Sequence, residues 1–274
     1  MMKFGICNEL FEDWNFSDVC QTVKSLGYDG LEIAPFTLAS RITDVSAAER
    51  AELKKIMDET GLECIGLHWL LAKTEGFYLT TPDQQIRQKT LDYLKQLARC
   101  THDLGGSIMV FGSPKQRDLL PGVSADQALV YAEQVFAELV PTLAETGVTL
   151  CLEPLAPSET NFLNTIDQAN LLIDRINHPN FRLHLDAKAQ SSEESTSVPE
   201  LWLKHGSKAR HAHAQDTNLK GPGMGHVAFG PIVQSLLNSG YPGYLSVEVF
   251  DFTPGAVETA RISLETLKQA LLHD

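Results

Sequence analysis

The chain has 274 residues, 43% of them hydrophobic, and a formal net charge of −13 at pH 7. That length suits two small domains or one α/β barrel of about 250 residues, and the apolar content is ample for a core. The acidic balance argues against a general nucleic-acid binder, which needs a basic face to neutralise phosphates, though a local basic pocket for a small anion stays compatible with it.

In chain order, short apolar runs alternate with segments of helical spacing. KFGIC (3–7) reads as a strand before a helix over 16–26, and DGLEIA (29–34) as a strand before a helix over 46–60. LECIGLH (62–68) precedes 84–104, where Ile86, Leu91, Leu94, Leu97 and Leu104 form one apolar stripe while Arg87, Lys89, Asp92 and Lys95 fall elsewhere. SIMVFG (107–112) leads to a helix over 124–146, VTLCLE (148–153) to one over 165–176, and FRLHLD (181–186) to a short one near 198–206. RHAHAQ (210–215) precedes 227–239, and YLSVEVF (244–250) precedes 256–272. Each apolar run is too short for a buried helix and fits a strand.

Punctuation agrees. Gly27, Gly61, Gly105, Gly147 and Gly240 follow predicted helices as caps that tolerate positive φ, and Ser17, Ser124 and Thr165 stand as N-caps. Eight strand–helix units in 274 residues average about 34 residues each, which predicts one closed parallel (β/α)8 TIM barrel spanning 1–274 as a single domain. A doubly wound open sheet is the alternative; the strand count and the lack of a glycine fingerprint after the first strand weigh against it.

The start, MMKFGICNEL, has no long apolar segment, and no run approaches the roughly 20 apolar residues that span a bilayer. No membrane partner is expected. The five cysteines are scattered without a CxxC pair and read as reduced thiols of a cytoplasmic protein, with Cys7, Cys64 and Cys151 as small fillers in strands.

In such a barrel the functional side chains stand at the C-terminal ends of the strands. Those ends give Glu9, Glu32, His68, Gly112, Glu153, Asp186, His213 and Glu248 in turn. Each has an ordinary explanation alone: Glu153 before Pro154 as a loop residue, Asp186 as a cap, Glu248 as a lysine's partner, His211 or His213 as a core histidine. Four consecutive strands delivering Glu, Asp, His and Glu to one rim are harder to dismiss. Three crowded carboxylates repel one another unless a cation balances them, so a divalent metal ion is expected there. His213 is preferred to His211 because it lies one layer nearer the mouth. The oxygen-rich set suits Mn²⁺ or Mg²⁺ first, with Co²⁺ or Zn²⁺ after them.

The segments LEPLAPSETNFLNT, LHLDAKA, HAHAQDTNLKGPGMG and LSVEVF together resemble the xylose isomerase-like barrel superfamily. More narrowly, they resemble its sugar phosphate isomerase/epimerase branch, which includes the ketose 3-epimerases. The match runs in order over nearly the whole chain. The resemblance implies a metal held by Glu153, Asp186, His213 and Glu248, with Glu153 and Glu248 also serving as the acid/base pair. It implies a substrate contact at Glu159, and GPGMGH (221–226) is similar to the family's glycine-rich segment. Two positions depart from the pattern: Ala189 stands where the epimerases carry a substrate-binding histidine, and Leu219, followed by Lys220, where they carry an arginine. Lys188, beside Ala189, is therefore the expected contact for an anionic or differently shaped substrate, and His68 is expected to orient a substrate oxygen.

The implied reaction removes a proton beside a sugar carbonyl, a step that needs the developing enediolate to be stabilised and a carboxylate to take the proton. The expected partner is a sugar-like small molecule, and homo-oligomers are common in the family. Trp14, Phe36 and Trp69 follow the first three strands and are expected to wall the pocket. The polar segment 187–199 is expected to be a long loop able to cover the mouth, and Lys115 and Arg117 to offer charge for an anion. A dehydratase of the inosose or dehydroshikimate type is the main alternative. A non-catalytic carbohydrate-binding relative is another. An endonuclease IV-like nuclease is disfavoured by VFGSP, which lacks a histidine in the fourth strand, by Ala189 and by the acidic balance.

Overall fold

The computed structural model describes residues 2–193 and 195–272. Eight parallel strands close into a barrel in sequence order: β1 (Lys3–Cys7), β2 (Gly30–Ile33), β3 (Glu63–Leu67), β4 (Ile108–Phe111), β5 (Thr149–Leu152), β6 (Phe181–Asp186), β7 (Ala209–Ala214) and β8 (Tyr244–Val247), with β8 paired back onto β1. Helices alternate with them: α1 (Phe16–Leu26), α2 (Ala47–Thr60), α3 (Gln84–Asp103), α4 (Ala125–Thr146), α5 (Ile166–Ile176), α6 (Ala187–Gln190), α7 (Val198–His205), α8 (Phe229–Asn238) and α9 (Ala256–Ala270). This is the expected TIM barrel. The strands are buried along most of their length because helices cover one face and side chains fill the other, so they read as apolar runs and not as alternating ones.

Local chemistry sets the helix ends. Ser46 and Ser124 each close a capping box, with Glu49 and Gln127, and Thr165 caps α5. At α1 the cap is Asn15, not Ser17: the Asn15 side chain accepts from the Ser17 N–H at 2.9 Å, so Ser17 lies inside the first turn. Gly27, Gly61 and Gly147 end their helices in the left-handed region, where a side chain would be strained. The segment expected as a loop from 187 starts instead as the turn α6, with Ala187, Ala189 and Gln190 buried. The rest of it runs to α7, whose first turn carries a Ser197–Glu200 capping box; Glu194 lies outside the described residues. Among the described residues no helix is long and apolar enough to cross a membrane, and all five cysteines are free thiols.

Candidate active site

Strand ends deliver the polar groups. Asp186 is the last residue of β6 and lies beside His213 of β7, which in turn lies beside Ser246 of β8. Glu153 and Glu248 sit just past their strands but still follow the ladder, donating backbone N–H bonds to the carbonyls of Phe111 (3.2 Å) and Ala214 (3.4 Å). As a result, one ligand-type atom from each of Glu153, Asp186, His213 and Glu248 lies within 4.8 Å of the others, and all four residues are buried.

Asp186 is fixed at both ends. Its Oδ1 accepts the Ala189 N–H at 2.6 Å, and its own N–H donates to Gln190 Oε1 at 2.6 Å, so the α6 turn aims the carboxylate. Glu153 has room because the neighbouring position on the fourth strand is Gly112; a Cβ there would run into the Glu153 carboxylate. Glu248 Oε1 accepts from Trp69 Nε1 at 2.9 Å.

Crowding shows in the proton affinities. Burial, then the charges of Asp186 and Glu248, pushes the Glu153 carboxyl well above the usual range. Burial, then Glu248, raises Asp186 to about 7. Burial would also raise Glu248, but His213, His68 and Trp69 together hold it below the usual value. Burial would lower His213, yet Glu32 and Glu248 push it well above an ordinary histidine.

The donor set fits a divalent cation. Asp186 Oδ2 and His213 Nδ1 are buried without a hydrogen-bond partner, which is costly unless something charged is to be received. His213 Nδ1 lies 3.4 Å from Glu248 Oε2 without the alignment of a hydrogen bond. Three carboxylates and one imidazole are the chemistry of a hard to borderline ion.

The cluster forms the floor of a cavity of about 450 Å³. Trp69 and Phe250 make an aromatic wall, ring centroids 5.1 Å apart, with Phe36 packed behind Trp69 at 5.8 Å. On another side Lys188 Nζ lies 2.5 Å from Glu159 Oε1 and 5.2 Å from the Phe250 ring centroid. His68 lines the cavity too; its Nε2 is 2.7 Å from Glu9 Oε2, and although burial would lower its proton affinity, Glu9 raises it above the usual value. All seven expected site residues therefore belong to one cavity or its floor.

Two expectations are corrected, those for Trp14 and Arg117. Trp14 is 43% exposed, packs edge-on against Phe11 and faces a separate groove. Arg117 is fully buried and donates to the backbone carbonyls of Glu153 (2.7 Å) and Leu163 (3.2 Å), so its guanidinium braces the wall and does not face an anion. Lys220, next to the position where the epimerases carry arginine, pairs with Asp251 at 3.7 Å, away from the cavity lining.

Glu32, expected at a strand end with the mouth groups, lies instead in a polar layer beneath the cluster, and reading strand ends passes over His184 there. His211 Nε2 lies 2.6 Å from Glu32 Oε2, and His184 Nε2 lies 3.9 Å from Glu153 Oε1. Alternation offers the signal: His184 and His211 precede Asp186 and His213 by two residues and must share their inward face.

The family model of the xylose isomerase-like TIM barrel matches residues 20–270, and the chain belongs to this family. A probable ketose 3-epimerase of Synechocystis sp. is 25% identical over 92% of this chain and 85% of its own. A D-psicose 3-epimerase of Ruminiclostridium cellulolyticum is 27% identical over 93% and 86%. Among solved structures, D-psicose 3-epimerase with D-tagatose from Clostridium cellulolyticum H10 superposes with a TM-score of 0.85 at 21% identity, over 98% of this chain and 99% of that one.

Proposed function

We propose that the protein is a metal-dependent epimerase or isomerase of a ketose, a sugar phosphate or a related sugar carbonyl compound, and that residues 1–274 form one barrel domain devoted to it. The observation carrying this reading is the convergence of Glu153, Asp186, His213 and Glu248 on one buried point under a cavity of sugar-accommodating size. The epimerase names of the relatives agree with it. Those four residues would hold the ion, Mn²⁺ or Mg²⁺ before Co²⁺ or Zn²⁺, and when bound it would polarise the substrate carbonyl as a Lewis acid.

Glu153 and Glu248 are the outer members of an arc of four adjacent strands, with Asp186 and His213 between them. They therefore reach a molecule seated over the arc from different sides. One takes the proton from the carbon beside the carbonyl, and the other returns a proton to the opposite face, which inverts that centre. Because the reaction is reversible, the two exchange roles with its direction. Trp69 fixes one oxygen of Glu248, and Arg117 fixes the backbone of Glu153, so neither carboxylate drifts. The aromatic wall excludes water, and the Lys188–Glu159 pair offers a donor and an acceptor to substrate hydroxyls, with His68 directed at another oxygen.

Incubating the Mn²⁺-loaded protein with a panel of ketoses and ketose phosphates in D₂O tests this. The expected result is an isomeric product carrying deuterium at the inverted or adjacent carbon. A product lighter by one water identifies a dehydratase, and no turnover or exchange across the panel counts against the epimerase reading.

A further inference from the structure

The strongest feature outside the mouth cluster is Glu32, a fully buried carboxylate on β2, one layer deeper in the barrel. That layer is ordinarily filled by branched apolar side chains. A buried carboxylate is expensive unless its oxygens are occupied, and here two imidazoles share it. Its Oε2 is 2.6 Å from His211 Nε2, and both of its oxygens are 3.2 Å from His213 Nε2. The other neighbour of His213 Nε2 is the Cys7 Sγ at 3.9 Å, a weak partner.

His213 is thus held by opposite ring atoms. Nε2 points down to Glu32, while Nδ1, without a hydrogen bond, points up to Glu248 and the cluster. An ionised carboxylate only accepts, so the nitrogen facing it carries the proton. With a cation seated at the mouth, the remaining nitrogen would offer it the lone pair.

We propose that Glu32 is a positioning residue for the mouth cluster: it fixes the ring orientation and tautomer of His213 so that Nδ1 is the nitrogen offered to the cation. The inference rests on the metal reading of the cluster. His211 occupies the oxygen of Glu32 nearest to it and keeps the carboxylate from swinging toward the mouth, so the layer acts as a fixed mount beneath the ligand.

Two measurements test it. Calorimetric titration with Mn²⁺ is expected to give a dissociation constant about 10–100-fold weaker for Glu32→Gln than for the parent, the usual effect of losing an outer partner of a metal-bound histidine. The second needs no variant at Glu32. In Zn²⁺-loaded parent protein labelled with nitrogen-15 histidine, long-range proton–nitrogen correlations are expected to show one ring with metal at Nδ1 and a proton at Nε2, assigned to His213 by its loss in His213→Asn. A parent that binds the ions while Glu32→Gln binds Mn²⁺ equally well, or a His213 ring bound through Nε2, overturns the role of Glu32 and leaves the metal reading intact. A parent that binds neither ion overturns both.

Discussion

The replacement Asp186→Asn separates the electrostatic cost of the cluster from its geometry. Asparagine keeps the Oδ1 acceptor that receives the Ala189 N–H at 2.6 Å, and its amide replaces the Oδ2 that has no hydrogen-bond partner. What disappears is a carboxylate that burial, then Glu248, raises from an ordinary 3.8 to about 7. A carboxylate with a raised affinity leaves the folded state holding more protons than the unfolded one, so stability falls as pH climbs between the two values. The penalty is absent below the unfolded value and complete above the folded one. The rise from 3.8 to about 7 corresponds to about 4 kcal/mol at pH 8 and about 2 kcal/mol at pH 5. With a chelator present, Asp186→Asn is therefore expected to be the more stable protein at pH 8, by on the order of 10 °C in melting temperature. The gap should shrink steadily toward acid. Saturating Mn²⁺ should reverse the order, because only the parent gains the full linkage stabilisation. Urea and thermal unfolding from pH 5 to 8, with chelator or Mn²⁺, decide the matter. An Asp186→Asn protein that is less stable than the parent at pH 8 without metal, or a gap independent of pH, refutes the reasoning.

Three further outcomes are expected. Glu153→Gln and Glu248→Gln should each lower turnover by about 10²–10⁴-fold, the range for loss of an acid/base group, and Glu153→Gln should do so without lowering the melting temperature of the metal-free protein at pH 8. Arg117→Met should destabilise the fold by about 3 kcal/mol in urea unfolding, since it removes two buried, charge-assisted hydrogen bonds to the carbonyls of Glu153 and Leu163. Lys188→Met should raise KM about 10-fold with kcat nearly unchanged, as expected for a group that binds ground and transition states alike; a fall in kcat at constant KM would place Lys188 in the chemistry instead.

The barrel and the mouth cluster were legible for the same reason. Parallel strands flanked by helices must be apolar along their length, so a charged residue stands out where each strand stops, as Glu153, Asp186 and Glu248 do. The layer beneath was less visible. His184 sits within an apolar run and Glu32 reads as one more strand-end acid; what marks the layer is pairing between strands, His211 to Glu32 across 179 residues of sequence. Arg117 misled for a similar reason. A loop arginine before DLLPG resembles any surface cation, and its burial depends on carbonyls 36 and 46 residues away. The α6 turn reads as loop because AKAQ carries no apolar period; Asp186 capping Ala189 and the packing of Ala187 and Gln190 create it. Asn15 and Ser17 are both good caps, and only the backbone, extended at Asn15, chooses between them.

Gly112 gives the molecule a separable control. The group in the way of a side chain at this position is the outer end of Glu153, a flexible carboxylate and not backbone. An alanine there would press on that carboxylate and on no backbone, so the β-ladder has no reason to shift. The fourth strand thus contributes to the cluster by what it withholds: the space left by one absent methyl group is the space in which an oxygen of Glu153 sits.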